Sequence, residues 1–199
     1  MHGRVLNQVL PGLRDPEIWK HPLVAGAFDA SLCVQLTDCD EHAVEIGDER
    51  GSLPLVTLHG DACPNKMLVT AEHDGFSLID YGFFGKGPIG FDLGQLLVGD
   101  VQIGRGPAAR LQAIDAAILS SYVEGLRAEG CQVSREIVRR AHALHLMLFT
   151  GLSCLPIEHL GSEQTPALHR IASERAAVAR FSLELLRTSP PVTPKAYEI

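Results

Sequence analysis

The chain has 199 residues, of which 46% are hydrophobic and 21% are charged, and its formal net charge at pH 7 is −7. This length and composition are typical of a soluble protein with a core of its own, either one domain or one large lobe of a two-lobed protein. The negative charge argues against broad binding of nucleic acids or anionic membranes, because both require a basic face.

The five cysteines are scattered and include no CxxC pair. This pattern predicts reduced thiols rather than a disulfide framework or a zinc ribbon. The N-terminal sequence lacks the uninterrupted apolar segment of a signal peptide, and no stretch approaches the roughly 20 apolar residues that cross a bilayer. We therefore expect a cytoplasmic protein without a membrane segment.

The N-terminal quarter of the chain is predicted to be helical. A short helix is expected first, followed by a turn at Pro11-Gly12 and an irregular run over residues 16–22. The apolar spacing over residues 23–46 allows one or two helices. Residues 47–54 are predicted to be a polar loop.

The middle of the chain changes to β-strand patterns. Residues 55–58, 67–70 and 76–79 are short apolar runs of the strand type. Asp74-Gly75 between the last two runs is a strong turn signal, so these runs are predicted to form a β-hairpin. The stretch YGFFGKGPIG, residues 81–90, is rich in glycine and is predicted to be an irregular loop.

The C-terminal half is predicted to contain three helices. The first has Pro107 in its first turn and ends at Gly130. The second begins at Ser134, and the third covers about residues 163–186. The proline-rich tail, residues 188–199, is predicted to be extended or disordered.

Two acidic residues flank the predicted hairpin. Asp61 precedes the first strand and Asp80 follows the second. A hairpin returns the chain to its starting point, and with about four residues per strand at roughly 3.3 Å each we expect the two carboxylates within about 10 Å of each other. His59 and Asn65 fall in the same neighbourhood.

Carboxylate and amide oxygens are suitable ligands for Mg²⁺, which usually takes one or two carboxylates, with phosphates and waters completing its shell. In such a site one acid coordinates the metal while the other orients and deprotonates a hydroxyl. Phosphoryl transfer requires this division of roles.

The sequence LHGDACPNKMLV, followed by FSLIDYGFFGKGPIGFDLGQLL, resembles the catalytic core of the aminoglycoside phosphotransferase and choline kinase-like enzymes. The resemblance lies in the order of the motifs: His-Gly-Asp, a hairpin, Ile-Asp-aromatic-Gly, Gly-Pro and an Asp-Leu pair that opens a helix. It covers about residues 53–100 closely and the helical remainder loosely. It implies an α+β fold, namely the mainly helical C-terminal lobe of a protein kinase-like fold, with a small β-hairpin that carries the catalytic loop.

The resemblance also implies roles for individual residues. Asp61 corresponds to the catalytic carboxylate that faces the substrate hydroxyl, and His59 to the histidine that braces the catalytic loop. Asp80 corresponds to the metal-binding acid. Asp92 corresponds to an acid that is mainly structural in the family, and here it is placed to cap a helix starting at Leu93. The implied cofactor is Mg²⁺, with ATP as co-substrate.

The expected metal-binding amide departs from the family pattern. The family places an Asn five positions after the catalytic Asp, where this chain has Lys66, and Asn65 comes one residue early. Either Asn65 reaches the metal from a tighter loop, or Lys66 takes the place of the amide. An ammonium cannot ligate Mg²⁺, although it can neutralise phosphate charge.

The first 58 residues contain neither the glycine-rich loop nor the lysine strand of the family's N-terminal lobe. We therefore expect residues 1–187 to form a C-lobe alone. It would comprise a helical entry segment (1–54), the catalytic loop, hairpin and metal loop (55–100) and a helical subdomain (107–187), before the tail. A lone lobe exposes an apolar face, which a homodimer or a separate N-lobe partner would cover.

The leading functional prediction is ATP- and Mg²⁺-dependent phosphorylation of a hydroxyl on a small molecule, with a nucleotide as the other ligand. One alternative is a catalytically inactive kinase-like lobe that serves as a binding or assembly module. Metal-dependent hydrolysis is a further alternative, but few ligands are available for two metals. His142 and His145 share one helical face with apolar residues, so we expect them in the core rather than at a metal.

Overall fold

The computed structural model describes residues 12–72 and 75–191. In this part the protein is mainly helical with two small antiparallel sheets, in agreement with the predicted α+β class. The first expected helix, Asp74 of the hairpin turn and most of the proline-rich tail lie outside the described residues. None of the helices in the described ranges is long and apolar enough to cross a membrane.

Between residues 14 and 54 the structure contains four helices: α1 (Pro16–Lys20), α2 (Pro22–Ala25), α3 (Ala30–Glu41) and α4 (Ala43–Gly51). The prediction of an irregular run over residues 16–22 was wrong, because both prolines occupy first helical turns, where a missing N–H costs nothing. Asp15 caps α1 and His21 caps α2 through side-chain acceptors. The predicted polar loop was also wrong over residues 47–51, which continue α4.

The strands are β1 (Leu55–Leu58), β2 (Met67–Val69), β3 (Phe76–Leu78) and β4 (Gly85–Pro88). β2 and β3 form the predicted hairpin, with Met67 opposite Leu78. The prediction of an irregular loop over residues 81–90 was wrong for β4, which pairs antiparallel with β1. Glycine is suited to position 87 because the Leu58 side chain lies over it, with its Cδ1 only 2.3 Å from where a Cβ would stand.

The C-terminal helices are α5 (Phe91–Gln102), α6 (Leu111–Ala128), α7 (Arg135–Leu146) and α8 (Pro166–Arg187). Two predicted boundary signals are confirmed. Gly130, with φ of 84°, follows the end of α6, and the Ser134 hydroxyl caps α7 by accepting from the Ile137 N–H at 3.3 Å. A π-helical turn, Met147–Gly151, continues α7 and contacts α8.

Helix α7 lies at the centre of the core, and its residues are buried on nearly all sides. His142 and His145 are both in the core, as predicted. The His142 ring bonds the buried Asp115 carboxylate at 2.9 Å, and the His145 ring lies 5.2 Å from that of Phe91. The other large core side chains surround this helix and include Leu32, Leu36, Ile89, Leu119 and Leu152.

Candidate active site

Two loops form the candidate site, one after β1 and one after β3. The first carries Asp61 and ends in a 3₁₀ turn, Pro64–Lys66, immediately before β2. The second carries Asp80 and leads into β4. The Ile79 N–H donates to the Lys66 carbonyl at 3.0 Å, so the two loops lie side by side. The sequence-predicted site residues therefore come from neighbouring segments.

His59 links these loops through both of its ring nitrogens. Its Nε2 lies 2.9 Å from the Ile79 carbonyl oxygen, which can only accept, so Nε2 carries the proton. Its Nδ1 then accepts from the Asp61 N–H at 3.3 Å. The ring is buried and lies 4.8 Å from that of Tyr81. His59 thus fixes the backbone of Asp61 and the carbonyl that precedes Asp80.

Asp92, in the first turn of α5, holds the loop that follows β1. Its carboxylate accepts from the His59 N–H at 2.9 Å and from the Gly60 N–H at 2.8 Å. The prediction that Asp92 caps a helix starting at Leu93 was wrong, because α5 begins at Phe91 after Gly90. The sequence analysis named Asp92 as a structural acid but did not predict that it positions the loop that carries Asp61.

Gly60 is required by two independent features of the loop. Its φ is +84°, in the region that side chains disfavour. A Cβ on this residue would also stand 2.3 Å from the Phe83 carbonyl oxygen and 2.8 Å from the Phe83 Cβ. The two loops can approach this closely only if residue 60 has no side chain.

We expect Gly60→Ala to lower the melting temperature and to displace Asp61. The strained φ costs about 1–2 kcal/mol, and relief of the clash with Phe83 adds to it. Thermal unfolding measures the loss. Gly47→Ala is the matched control, because no atom lies within 4 Å of a Cβ there and the helical backbone accepts alanine. Equal melting temperatures for the two variants would contradict the tight approach.

Lys66 and Asp80 form an ion pair between the loops, with Lys66 Nζ donating to Asp80 Oδ2. The Lys66 ammonium holds the pKa of the Asp80 carboxyl below its usual value. The same hydrogen bond raises the pKa of Lys66, and the charge of Asp61 adds to this effect. Both groups are therefore charged at neutral pH, and the attraction between them is lost when Asp80 is protonated in acid or Lys66 is deprotonated in strong base.

The structure brings Lys66 to Asp80, whereas Asn65 is exposed. Successive side chains on a 3₁₀ turn are about 120° apart, which accounts for the difference. The role of Asn65 as a metal ligand stays a prediction.

A magnesium ion at Asp80 does not fit this arrangement. The carboxylate already binds an ammonium, whose charge repels a divalent cation. Within residues 12–72 and 75–191, no group of three or more His, Cys, Asp or Glu side chains could hold a metal ion.

Cys63 contacts the expected catalytic carboxylate. Its thiol lies 3.3 Å from Asp61 Oδ1 and donates to it. Burial, and then the hydrogen bond to Asp61, raise the pKa of this thiol. The sulfur thus stays protonated and orients Asp61, rather than acting as a nucleophile. All five cysteines of the chain are free thiols, as predicted.

Large apolar side chains surround the two loops and are exposed. We call this surface the apolar rim and define it as Val69, Phe76, Tyr81, Phe83 and Phe84. These side chains are 52% to 62% exposed. Whether the apolar rim belongs to the face expected of a lone lobe stays a prediction.

A family model of known proteins matches this chain and identifies the family to which it belongs. The chain belongs to the phosphotransferase enzyme family, whose family model matches residues 5–129. The match covers more than half of the chain and includes both loops of the site, whereas α7 and α8 lie beyond it. No curated protein and no solved structure matches the chain. Family membership confirms the resemblance found in the sequence.

Proposed function

We propose that this chain is the C-terminal lobe of a kinase-like phosphotransferase that transfers a phosphoryl group from ATP to a hydroxyl of a small molecule. Family membership supports phosphotransfer in general. The observation that carries the finer proposal is the double link made by His59. This link ties the Asp61 backbone to the residue that precedes Asp80, and a kinase active site uses one acid from each of two such loops.

In this proposal Asp61 orients the acceptor hydroxyl and takes its proton. Asp61 is half-buried, and the Cys63 thiol occupies one of its carboxylate oxygens. We assign the other oxygen, Oδ2, to the substrate hydroxyl. A carboxylate held in this way contributes by positioning and by accepting a proton as the hydroxyl attacks.

Lys66 supplies the positive charge of the site in this proposal. Its ammonium has three donors, of which Asp80 takes one, so the others are available to phosphate oxygens. Its side chain is 21% exposed, so it can reach a ligand. We assign no step to Mg²⁺, because the residues at Asp80 do not fit it.

We expect Asp61→Asn to lower the rate of phosphotransfer by about 10²- to 10⁴-fold, because the amide cannot accept the hydroxyl proton. The measurement is ADP release with a panel of amino sugars, amino alcohols and simple sugars as acceptors. Asp48→Asn is the control, since Asp48 is exposed on α4 and the chemical change is the same. Asp61→Asn activity equal to that of the control would remove Asp61 from the mechanism.

The ion pair between Lys66 and Asp80 favours a second candidate function, a non-catalytic binding or assembly module. An acid that already holds an ammonium is no longer the metal site of a typical kinase. Thermal melts with millimolar ATP separate the two functions. A phosphotransferase is stabilised by its nucleotide through mass action, whereas the module is not. ADP release with any acceptor of the panel would end the module hypothesis.

A further inference from the structure

We propose that Lys66 is the resident cation at Asp80, that it replaces a divalent metal there, and that the phosphates of a ligand are held by this lysine without a metal. The position of the cation is inferred from contacts alone. The phosphate role rests on the proposed function.

The first support is the way in which Lys66 is anchored. Its N–H donates to the Cys63 carbonyl at 2.9 Å, and its carbonyl accepts from the Ile79 N–H at 3.0 Å. Both ends of the residue are therefore tied to the loops of the site. The side chain is only 21% exposed, unlike that of a solvated surface lysine. These backbone bonds fix the point from which the Lys66 side chain extends, and its ammonium meets Asp80, whose own side chain is 53% exposed.

The second support is the charge around the ammonium. Asp80 holds it by a hydrogen bond, and the negative charge of Asp61 also acts on it. The ammonium therefore neutralises Asp80 directly and is also attracted by the charge of Asp61. A divalent ion at the same place would meet the ammonium at close range, and the two positive charges repel each other.

The third support is that this chain has no amide at the position where the family has its metal-binding Asn. That position carries Lys66, and Asn65 projects about 120° away on the 3₁₀ turn. Mg²⁺ demands near-ideal octahedral oxygen coordination and gives up its waters reluctantly. One carboxylate can suffice when phosphates and waters complete the shell, but the Asp80 carboxylate is already paired with Lys66. A lysine, in contrast, binds phosphate as a point charge.

A titration with Mn²⁺, in which electron paramagnetic resonance measures the free ion, tests whether Lys66 takes the place of a divalent metal at Asp80. We expect the wild-type protein to leave Mn²⁺ free. Lys66→Asn should bind one Mn²⁺ at least about tenfold more tightly, because the variant removes a positive charge and adds an amide oxygen. Lys66→Gln is the second variant if Lys66→Asn does not fold, as judged by circular dichroism.

Lys86→Asn is the matched control. Lys86 is exposed on β4, and its loss changes the net charge equally. It should leave Mn²⁺ binding as in the wild type. Adding Asp80→Asn to Lys66→Asn should abolish the gained site, which would locate the ion at Asp80. The inference would be overturned if the wild-type protein bound Mn²⁺ as tightly as the Lys66→Asn variant does and if the single variant Asp80→Asn no longer bound the ion.

Calorimetric titration with ATP tests the second part. We expect equal ATP affinity in EDTA and in excess Mg²⁺, and weaker binding in Lys66→Gln than in Lys86→Asn. Wild-type binding that requires Mg²⁺ would overturn the inference. Absence of ATP binding in both solutions would overturn the proposed function and the phosphate role of Lys66. The Mn²⁺ titration would then still decide whether Lys66 takes the place of the metal.

Discussion

Replacing Arg140 with Met is expected to lower the free energy of unfolding by about 3–5 kcal/mol, because it leaves a partly buried carboxylate without its partner. The Arg140 guanidinium donates to Glu49 at 2.7 Å through Nε and at 2.5 Å through a terminal nitrogen. It also donates to the Ser189 carbonyl at 2.6 Å and to the Leu186 carbonyl at 3.2 Å. One buried side chain thereby joins α7 to α4 and to the end of α8.

Urea unfolding of three variants measures this effect. Arg139→Met is the control on the same helix, since Arg139 is less buried than Arg140 and its guanidinium donates to the exposed Thr188 hydroxyl at 3.1 Å. We expect that control to change stability by less than about 1 kcal/mol. The double variant Glu49→Met/Arg140→Met should recover part of the loss, because no charge is left unpaired. Equal losses in Arg140→Met and Arg139→Met would show that the network contributes nothing.

Replacing Asp92 with Ala is expected to cost about 3–6 kcal/mol and to abolish phosphotransferase activity, since it removes two hydrogen bonds to a charged group that contribute about 1.5–3 kcal/mol each. The variant removes the common acceptor of the His59 and Gly60 N–H groups. His59 then loses its fixed position, and with it the link between the two loops. The activity loss should exceed what the lower stability explains at a temperature where the variant is folded.

Asp100→Ala on the same helix is the control for Asp92→Ala, because Asp100 accepts the Arg105 and Gly106 N–H groups through its backbone carbonyl, which alanine keeps. Unfolding in urea and ADP release are measured for both variants. Asp92→Asn should be intermediate, since its amide keeps one acceptor oxygen. If Asp92→Ala kept wild-type activity while folded, Asp92 would have no part in positioning the catalytic loop.

Much of the fold could be predicted because its signals are local. The turn residues around Gly75 and the alternating runs on either side predicted the hairpin of β2 and β3. Ser134 and Gly130 predicted helix boundaries, since a cap hydroxyl and a left-handed glycine act within one turn. The burial of His142 followed from its apolar neighbours on the same helical face.

The missed elements depend on distant partners. β4 has the sequence GKGP, which has no strand propensity of its own, and it is a strand only because β1 lies beside it. Asp92 bonds loop N–H groups more than thirty residues away, and no spacing rule connects such positions. Pro16 was misread for a different reason, because a proline both breaks helices and begins them.

The motifs assigned His59, Asp61 and Asp80 to two loops, and the structure links those loops through His59 and through the Ile79 N–H. The catalytic and metal roles of these residues stay predictions, and the sequence left the choice between Asn65 and Lys66 open. Whether Asn65 or Lys66 faces Asp80 depends on the rotation of a single 3₁₀ turn. A rotation of that kind follows from how the loops pack and not from the residues themselves.

The pairing of β1 with β4 has a consequence for the order of folding. It joins Leu55 to Pro88, so the intervening chain must be closed into a loop before the strands gain their hydrogen bonds. Loop closure costs entropy that helices, with their short-range contacts, do not lose. The helical scaffold should therefore assemble first, and the acids of the two loops should meet in the last stage of folding.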